Sequence, residues 1–455
     1  MPQRLKTDTT KSERPNWREY QDGLKWSAAK KRFVNGFLKC SVLGLLLFVV
    51  VYGVTSGIGG KSFSHLATDY ISPSNGGHSF DKKKVQTLLN RVSFVNLKNK
   101  SFDFVLNDHK FRVETSLNIG LQNYLLSKLN TSTARYIGIV AMEPATGKIL
   151  SMVSFNKTDP SNNPCLDNRF PAASIFKIVT ASAAIEKYGF SSNHVFSYNG
   201  MKHTLYKSQL KERKNRYTNR VSFKDAFAQS VNPVFGKIGS LYLGKETIEE
   251  YAKAFGFNKN IDFEIIVDPS CVALSYEPYQ WAEIACGFNN KTKMSPIHGA
   301  MMASAIINQG QLLEPTIVDR IVNEKGRIIY NGKLVPMSQA MAPNASQALN
   351  RLMATTIKSG TGRKAFRRHR RDKILSRLNI GGKTGSIDNK THDVRYDWFV
   401  GFAEEKKGVG KIALSVIVAH EKYIGLRASY YARIAMKKYF KDAFAKNQNL
   451  SDKGG

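Results

Sequence analysis

Ser174 and Lys177 stand three residues apart in PAASIFKIVTASAAIE, residues 171–186. The stretch is small and apolar throughout, has no glycine, and carries a proline where the first turn of a helix tolerates one. A lysine ammonium buried there without a partner is costly, so long cationic side chains normally reach for water. Positions i and i+3 share a helix face, which brings the serine Oγ and the lysine Nζ within reach of each other. A serine hydroxyl becomes a good nucleophile when a neighbour takes its proton. Lysine can take it only if its pKa falls well below the usual ~10.4, by desolvation or by a second nearby cation. The spacing thus allows a nucleophile with its base, although such a pair taken singly is more often structural. Ser-x-x-Lys also begins at Ser27, Ser79, Ser154 and Ser208, and only the copy at Ser174 lies in an apolar, helix-like context.

The second cation has a candidate in GGKTGS at 381–386, where Lys383 sits in a strand-like segment behind two glycines that allow close backbone approach. KSG at 358–360 reads instead as a lysine in a turn. A third element is Ser230-Val231-Asn232, at a break between helical stretches and followed by Pro233. The S-x-N pattern recurs at Ser116, Ser154, Ser161, Ser191 and Ser197, so it carries weight only in company.

In the chain order Ser174, Ser230, Lys383, the three elements resemble the signature set of the penicillin-binding transpeptidase family, which is related to the serine β-lactamases. The likeness runs from about residue 115 to 440 and includes ACGFNNKTKMSPIHGAMMASAIINQGQLLEP, KSGTGRKAF and RYDWFVGFA. The resemblance implies Ser174 as the acylated nucleophile, Lys177 as its base, Ser230 as the proton relay to the leaving amine, and Asn232 as a holder of the substrate amide. It implies that Lys383 tunes the field and positions the substrate carboxylate. Thr384, Gly385 and Ser386 would line the substrate, with the backbone N–H groups of Ser174 and Ser386 as oxyanion hole. Ala172-Ala173 replaces a usual Gly-Ser, Ile175 a common threonine, and Ser386 a more frequent threonine; these changes touch specificity more than chemistry.

Those residues need a scaffold. RYIGIVAMEPATGKILSMVSF (135–155) reads as two strands around a turn at Pro144–Gly147. Helical patterns follow at 171–186, near 224–242, at 246–255 and at 294–310, the last ending at Gly310. NIGGKTGSI, DWFVGFA and KIALSVIVAH return to strands, the last (411–420) with the continuous apolar character of a central one. LRASYYARIAMKKYFKDAF is a closing amphipathic helix. The expected fold is α+β: an antiparallel central sheet flanked by helices, with a mostly helical subdomain, preceded by one transmembrane helix.

The 455 residues carry a formal charge of +33, from 68 basic and 35 acidic side chains, which favours an anionic partner. Residues 40–60 hold no charge, enough to cross a hydrocarbon layer of ~30 Å, and the basic flank before them puts the N-terminus in the cytoplasm. The expected division is a cytoplasmic basic tail (1–39), a membrane anchor (40–60), a stalk or small N-terminal subdomain (61–115), a transpeptidase domain (116–446) and a tail (447–455). The catalytic part then lies outside the cytoplasmic membrane, and nucleic acid is not expected as a partner. The 61–115 stretch is too short for a glycosyltransferase domain, which would have to be a separate partner. Cys165, Cys271 and Cys286 would face an oxidising space, where one pair could bridge. No Cys/His grouping has metal-ligand spacing, and neither metal nor cofactor is expected.

The partners implied are peptidoglycan stem peptides and β-lactams as covalent inhibitors. The basic run RKAFRRHRRDKILSR (363–377) reads as a solvated loop or as a dock for anionic lipid headgroups or acidic wall polymer. Three other functions compete: a D,D-carboxypeptidase with water as acceptor, a β-lactamase, and a membrane-anchored β-lactam or peptidoglycan sensor or scaffold. ETSLN at 114–118 matches a deacylating E-x-x-L-N string but precedes Ser174, the wrong side for that role.

Overall fold

The two apolar runs around Pro144–Gly147 have the length and β-branched content of strands. In the computed structural model, which describes residues 80–90 and 92–451, they form the antiparallel pair β1 (Ala134–Met142) and β2 (Ile149–Asn156), with Ile139 opposite Val153. Three later strands complete the sheet: β3 (Leu378–Asp388), β4 (Arg395–Glu405) and β5 (Lys411–His420). Their spatial order is β3-β4-β5-β1-β2. β5 is central, and Ile412 to His420 are all buried, because both of its faces are covered.

Eight of the ten α-helices among the described residues position the rest: α1 (Ile119–Ser127), α2 (Lys177–Tyr188), α3 (Phe223–Ala228), α4 (Asn232–Lys237), α5 (Pro278–Cys286), α6 (Pro296–Ile307), α7 (Pro343–Lys358) and α8 (Ala428–Ser451). One face of the sheet is covered by α6. Its small residues let it approach closely: a methyl group on Gly299 would sit 3.1 Å from Ser415 Cβ and 3.2 Å from Val400 Cγ2. The other face packs on α1 and α8 through Leu121, Leu125, Tyr431 and Phe440. β3 is an edge strand, and α7 together with the turn leading into α2 lies beside it.

Several expectations change in detail. Pro171 is not in a first helical turn: it pairs with Lys293 in a two-residue strand, and the helix begins later. The pattern near 224–242 is broken by Gln229–Val231 into α3 and α4, since Ser230 adopts φ +59. The closing helix continues to Ser451, into the stretch read as a tail. Cys165, Cys271 and Cys286 are all free thiols, so no pair bridges: Cys165 is buried with its Sγ directed at the carbonyl groups of Ile139 and Val153. The membrane segment 40–60 and the tail 1–39 lie outside the described residues, among which no helix is long and apolar enough to cross a membrane.

The described part of 61–115 contains a hairpin, Ser101–Leu106 with His109–Thr115. Its second strand pairs with Val318–Asn323, which in turn pairs with Ile328–Asn331. This sheet therefore pairs strands far apart in the chain, with Val113 opposite Ile321. Behind it Glu264, fully buried, accepts hydrogen bonds from Thr316 Oγ1 (2.6 Å), Ile317 N (3.0 Å) and Tyr330 Oη (2.6 Å). Tyr330→Phe leaves that carboxylate one donor short and is expected to lower unfolding stability by about 1–3 kcal/mol. Urea denaturation of the variant beside the parent chain measures it.

Candidate active site

Residues Ala173–Phe176 form a 3-10 turn that runs into α2 at Lys177. With three residues per turn, i and i+3 lie in line rather than slightly offset. Ser174 Oγ is accordingly 2.9 Å from Lys177 Nζ. The residue before Ser174, Ala173, is held at φ +49, a left-handed conformation that costs a side-chain-bearing residue about 1–3 kcal/mol. Its surroundings enforce it. Trp398 Nε1 donates to Pro171 O at 2.8 Å, Ala172 N donates to Thr292 O at 2.9 Å, and Gly287 lies flat against the Ala173 carbonyl.

Lys177 is wholly buried, above the Phe235 ring, and contacts three oxygens. Besides Ser174 Oγ these are Asn232 Oδ1 at 2.8 Å and Cys286 O at 2.5 Å. An ammonium donates to all three. A neutral amine donates to Asn232 and Cys286 and turns its lone pair to the serine hydroxyl, which is the arrangement a general base requires. Burial lowers the pKa of Lys177 to about 8.

Asn232 is fixed at both ends of its side chain. Its Nδ2 donates to His203 O (2.9 Å), so its Oδ1 faces Lys177, and its backbone N donates to Lys202 O (2.7 Å). Ser230 sits in the left-handed break between α3 and α4 and accepts a hydrogen bond from Lys383 Nζ at 3.0 Å. Lys383 is also wholly buried, donates to Thr384 O at 2.9 Å and lies over the Phe227 ring. Burial, and then the Lys177 ammonium, hold its pKa well below the ordinary lysine value. Among the described residues neither lysine has a carboxylate within ion-pair distance, so no ion pair offsets their desolvation.

β3 carries the remaining residues past the nucleophile. A methyl group on Gly385 would lie 3.4 Å from Ser174 N. Thr384 Oγ1 is 2.6 Å from Thr361 Oγ1, and Ser386 Oγ donates to Asp397 Oδ1 at 3.1 Å. Asp397 is buried and also accepts from Ala428 N at 2.9 Å, which ties β4 to the start of α8.

The fold thus brings Ser174, Lys177, Ser230, Asn232, Lys383, Thr384 and Gly385 together in one cluster, with Ser386 exposed at its edge. The sequence reading assigned no role to the Cys286 carbonyl, Gly287, the Lys202–His203 carbonyls, Thr361 or Asp397, although ACGFNN, KSGTGRKAF and RYDWFVGFA are among the stretches that carry the resemblance. Backbone acceptors leave no signature in side-chain types. Gly287 did leave one, as a glycine directly behind the helical AEIAC, and KSG at 358–360 ends α7 in a turn that leads into Thr361.

Glu114, of the ETSLN string, is bound by the Arg320 guanidinium at 2.8 and 2.9 Å in the other sheet. Asn118 of the same string caps α1 by accepting from Leu121 N. Glu114→Gln is accordingly expected to leave any turnover of an acylated Ser174 unchanged, which the rate of penicilloate release would reveal.

A buried lysine beside Ser174, with a second Ser–Lys pair next to it, matches the S-x-x-K, S-x-N and K-T-G signature of the penicillin-recognising proteins. Residues 137–444 match the model of the penicillin binding protein transpeptidase domain, and the chain belongs to that family. Among curated relatives it is 25% identical over 321 residues to stage V sporulation protein D of Bacillus subtilis, covering 65% of this chain and 47% of that one. It is 22% identical over 319 residues to the peptidoglycan D,D-transpeptidase PbpA of Mycobacterium tuberculosis, covering 62% and 61%. The chain therefore spans about half to three-fifths of the length of these relatives. Among solved structures, the D,D-transpeptidase domain of a peptidoglycan glycosyltransferase from Eggerthella lenta superposes with a TM-score of 0.61 at 21% identity, covering 82% of this chain and 89% of that one. The penicillin G acyl-enzyme of penicillin-binding protein A from M. tuberculosis gives 0.56 at 20% identity, covering 73% and 80%.

Proposed function

We propose that the chain is a D,D-transpeptidase that cross-links peptidoglycan stem peptides through an acyl-enzyme on Ser174. The observation that carries the reading is the desolvated Lys177, 2.9 Å from Ser174 Oγ with no acidic partner among the described residues. In the first step neutral Lys177 takes the hydroxyl proton as Oγ adds to the carbonyl of the penultimate D-alanine. The N–H groups of Ser174 and Ser386 hold the tetrahedral oxyanion. Collapse breaks the peptide bond and Ser230 passes a proton to the departing D-alanine amine, with Lys383 behind it supporting the relay. Asn232 orients Lys177 through Oδ1, and the second N–H of its amide is left for a substrate carbonyl. Lys383, Thr384 and Thr361 face the terminal carboxylate. An amine of a neighbouring stem peptide then attacks the ester and regenerates Ser174.

β-Lactams acylate the same serine in this reading. Residues 40–60 anchor the chain in the cytoplasmic membrane with the catalytic part outside, and a separate glycosyltransferase supplies the glycan. The position of Glu114 supports a slowly deacylating enzyme over a β-lactamase. The test is partitioning: a donor peptide ending in D-Ala-D-Ala is supplied with and without an amine acceptor, and both products are quantified. Acceptor-containing product in excess over hydrolysis is expected. Hydrolysis alone at saturating acceptor would make the chain a D,D-carboxypeptidase.

A further inference from the structure

The run 363–377 is not a loose solvated loop. Phe366 is buried and stacks on Phe399 of β4 with ring centroids 5.7 Å apart, and Leu375 is buried nine residues further on. Arg433 donates to Ala365 O at 2.9 Å, Lys437 pairs with Asp372 at 2.7 Å, and Arg368 takes a left-handed turn at φ +59. Between these anchors the backbone bends around a concave cavity of about 780 Å³. Its lining includes Lys358, Arg363, Lys364, Arg367, Arg370 and Arg371, and no carboxylate. Asp372 is the only acid in the run and is taken by Lys437. Among the described residues none of those six cations makes an ion pair.

Holding so many like charges on one anchored surface is unfavourable without a counter-charge, and the apolar anchors keep them from spreading apart. We propose that this cavity binds a phosphate-bearing polymer, a chain of phosphodiester or polyphosphate groups, through its guanidinium forks. Arginine predominates in the lining, and its planar fork matches phosphate oxygens in pairs where lysine offers a point charge. A membrane surface fits less well: the site is concave, and no large apolar side chain of 363–377 is exposed to insert among acyl chains. The lining residues Lys358 and Arg363 flank Thr361, whose hydroxyl bonds Thr384, so the polymer would lie beside the strand that carries Lys383. The inference is independent of which acceptor Ser174 uses.

The experiment takes the full chain in non-ionic detergent and titrates it with a short inorganic polyphosphate at several salt concentrations, and in parallel with phosphatidylglycerol–phosphatidylcholine vesicles. The pocket variant is Arg367→Gln with Arg370→Gln and Arg371→Gln. The control removes the same charge elsewhere, at the exposed Lys325, Arg327 and Lys333, each changed to Gln. The pocket variant should bind polyphosphate at least about tenfold more weakly and lose about three from the slope of log affinity against log salt, while the control changes little. A third variant with lysine at the three pocket positions keeps the charge, and should keep the salt slope while losing affinity. Covalent labelling by penicillin reports that each variant is folded. Equal losses in pocket variant and control, or equal competition by sulfate at matched ionic strength, would reduce the effect to overall charge and overturn the proposal. Pocket-dependent binding of the vesicles without binding of polyphosphate would overturn it in favour of a lipid surface.

Discussion

Lys177→Met is expected to slow acylation of Ser174 by benzylpenicillin by about two to four orders of magnitude, the range that loss of a positioned general base produces. Lys177→Arg should be as slow, because guanidinium keeps the charge but does not lose its proton in water at accessible pH. That pair of variants separates a base from a mere cation: if Lys177 only supplied positive charge, arginine would retain most of the rate. The pH dependence follows from the same geometry. Burial places the lysine pKa at about 8, and only the unprotonated amine accepts the serine proton. The acylation rate should therefore climb with pH by roughly tenfold per unit below that value and level off above it. Stopped-flow measurement with a chromogenic β-lactam gives the profile. A rate that fell over the same range would mean that the ammonium form is the active one.

Gly287→Ala should be nearly as damaging without removing any functional group. Gly287 ends α5 in a left-handed conformation, φ +69, which alone strains a residue bearing a Cβ. An added methyl group would also collide with the Ala173 carbonyl and lie 2.9 Å from Ser174 N. Relief requires moving the turn that aims the nucleophile, or moving Cys286, whose carbonyl holds Lys177. Displacements of about 1 Å at a reacting centre cost roughly a hundredfold in rate. The expected result is a loss of acylation of at least that size, with stability lowered by about 1–3 kcal/mol. Parallel acylation kinetics and thermal denaturation check both halves. Full activity in Gly287→Ala would show that the contact with Ala173 does not set the position of Ser174.

The side chains of the site were legible because each carries its chemistry in its type. A lysine in an apolar helix, a lysine between glycines in a strand, and a serine beside a helix break all stand out against their local patterns. The central strand Lys411–His420 was legible for a related reason, since burial on both faces removes the alternation of a half-exposed strand. Most of what the chain hid is contributed by backbone. The Cys286 and His203 carbonyls come from 109 and 29 positions away from Lys177 and Asn232, respectively, and any residue type presents a carbonyl. The N-terminal sheet was hidden because Val113 pairs with Ile321, a pairing fixed by tertiary contact rather than by local pattern. The start of α2 was misplaced because Pro171 suits a first turn equally well as the short strand it occupies.

The central claim, that a lysine-activated Ser174 forms a lasting acyl-enzyme, is tested most directly by the intact mass of the full chain, in detergent, after incubation with benzylpenicillin, beside Ser174→Ala. One added penicillin per chain that persists for many minutes, and is absent from the variant, is the result this account predicts. An adduct that also forms on Ser174→Ala, or none on the parent chain, would contradict it.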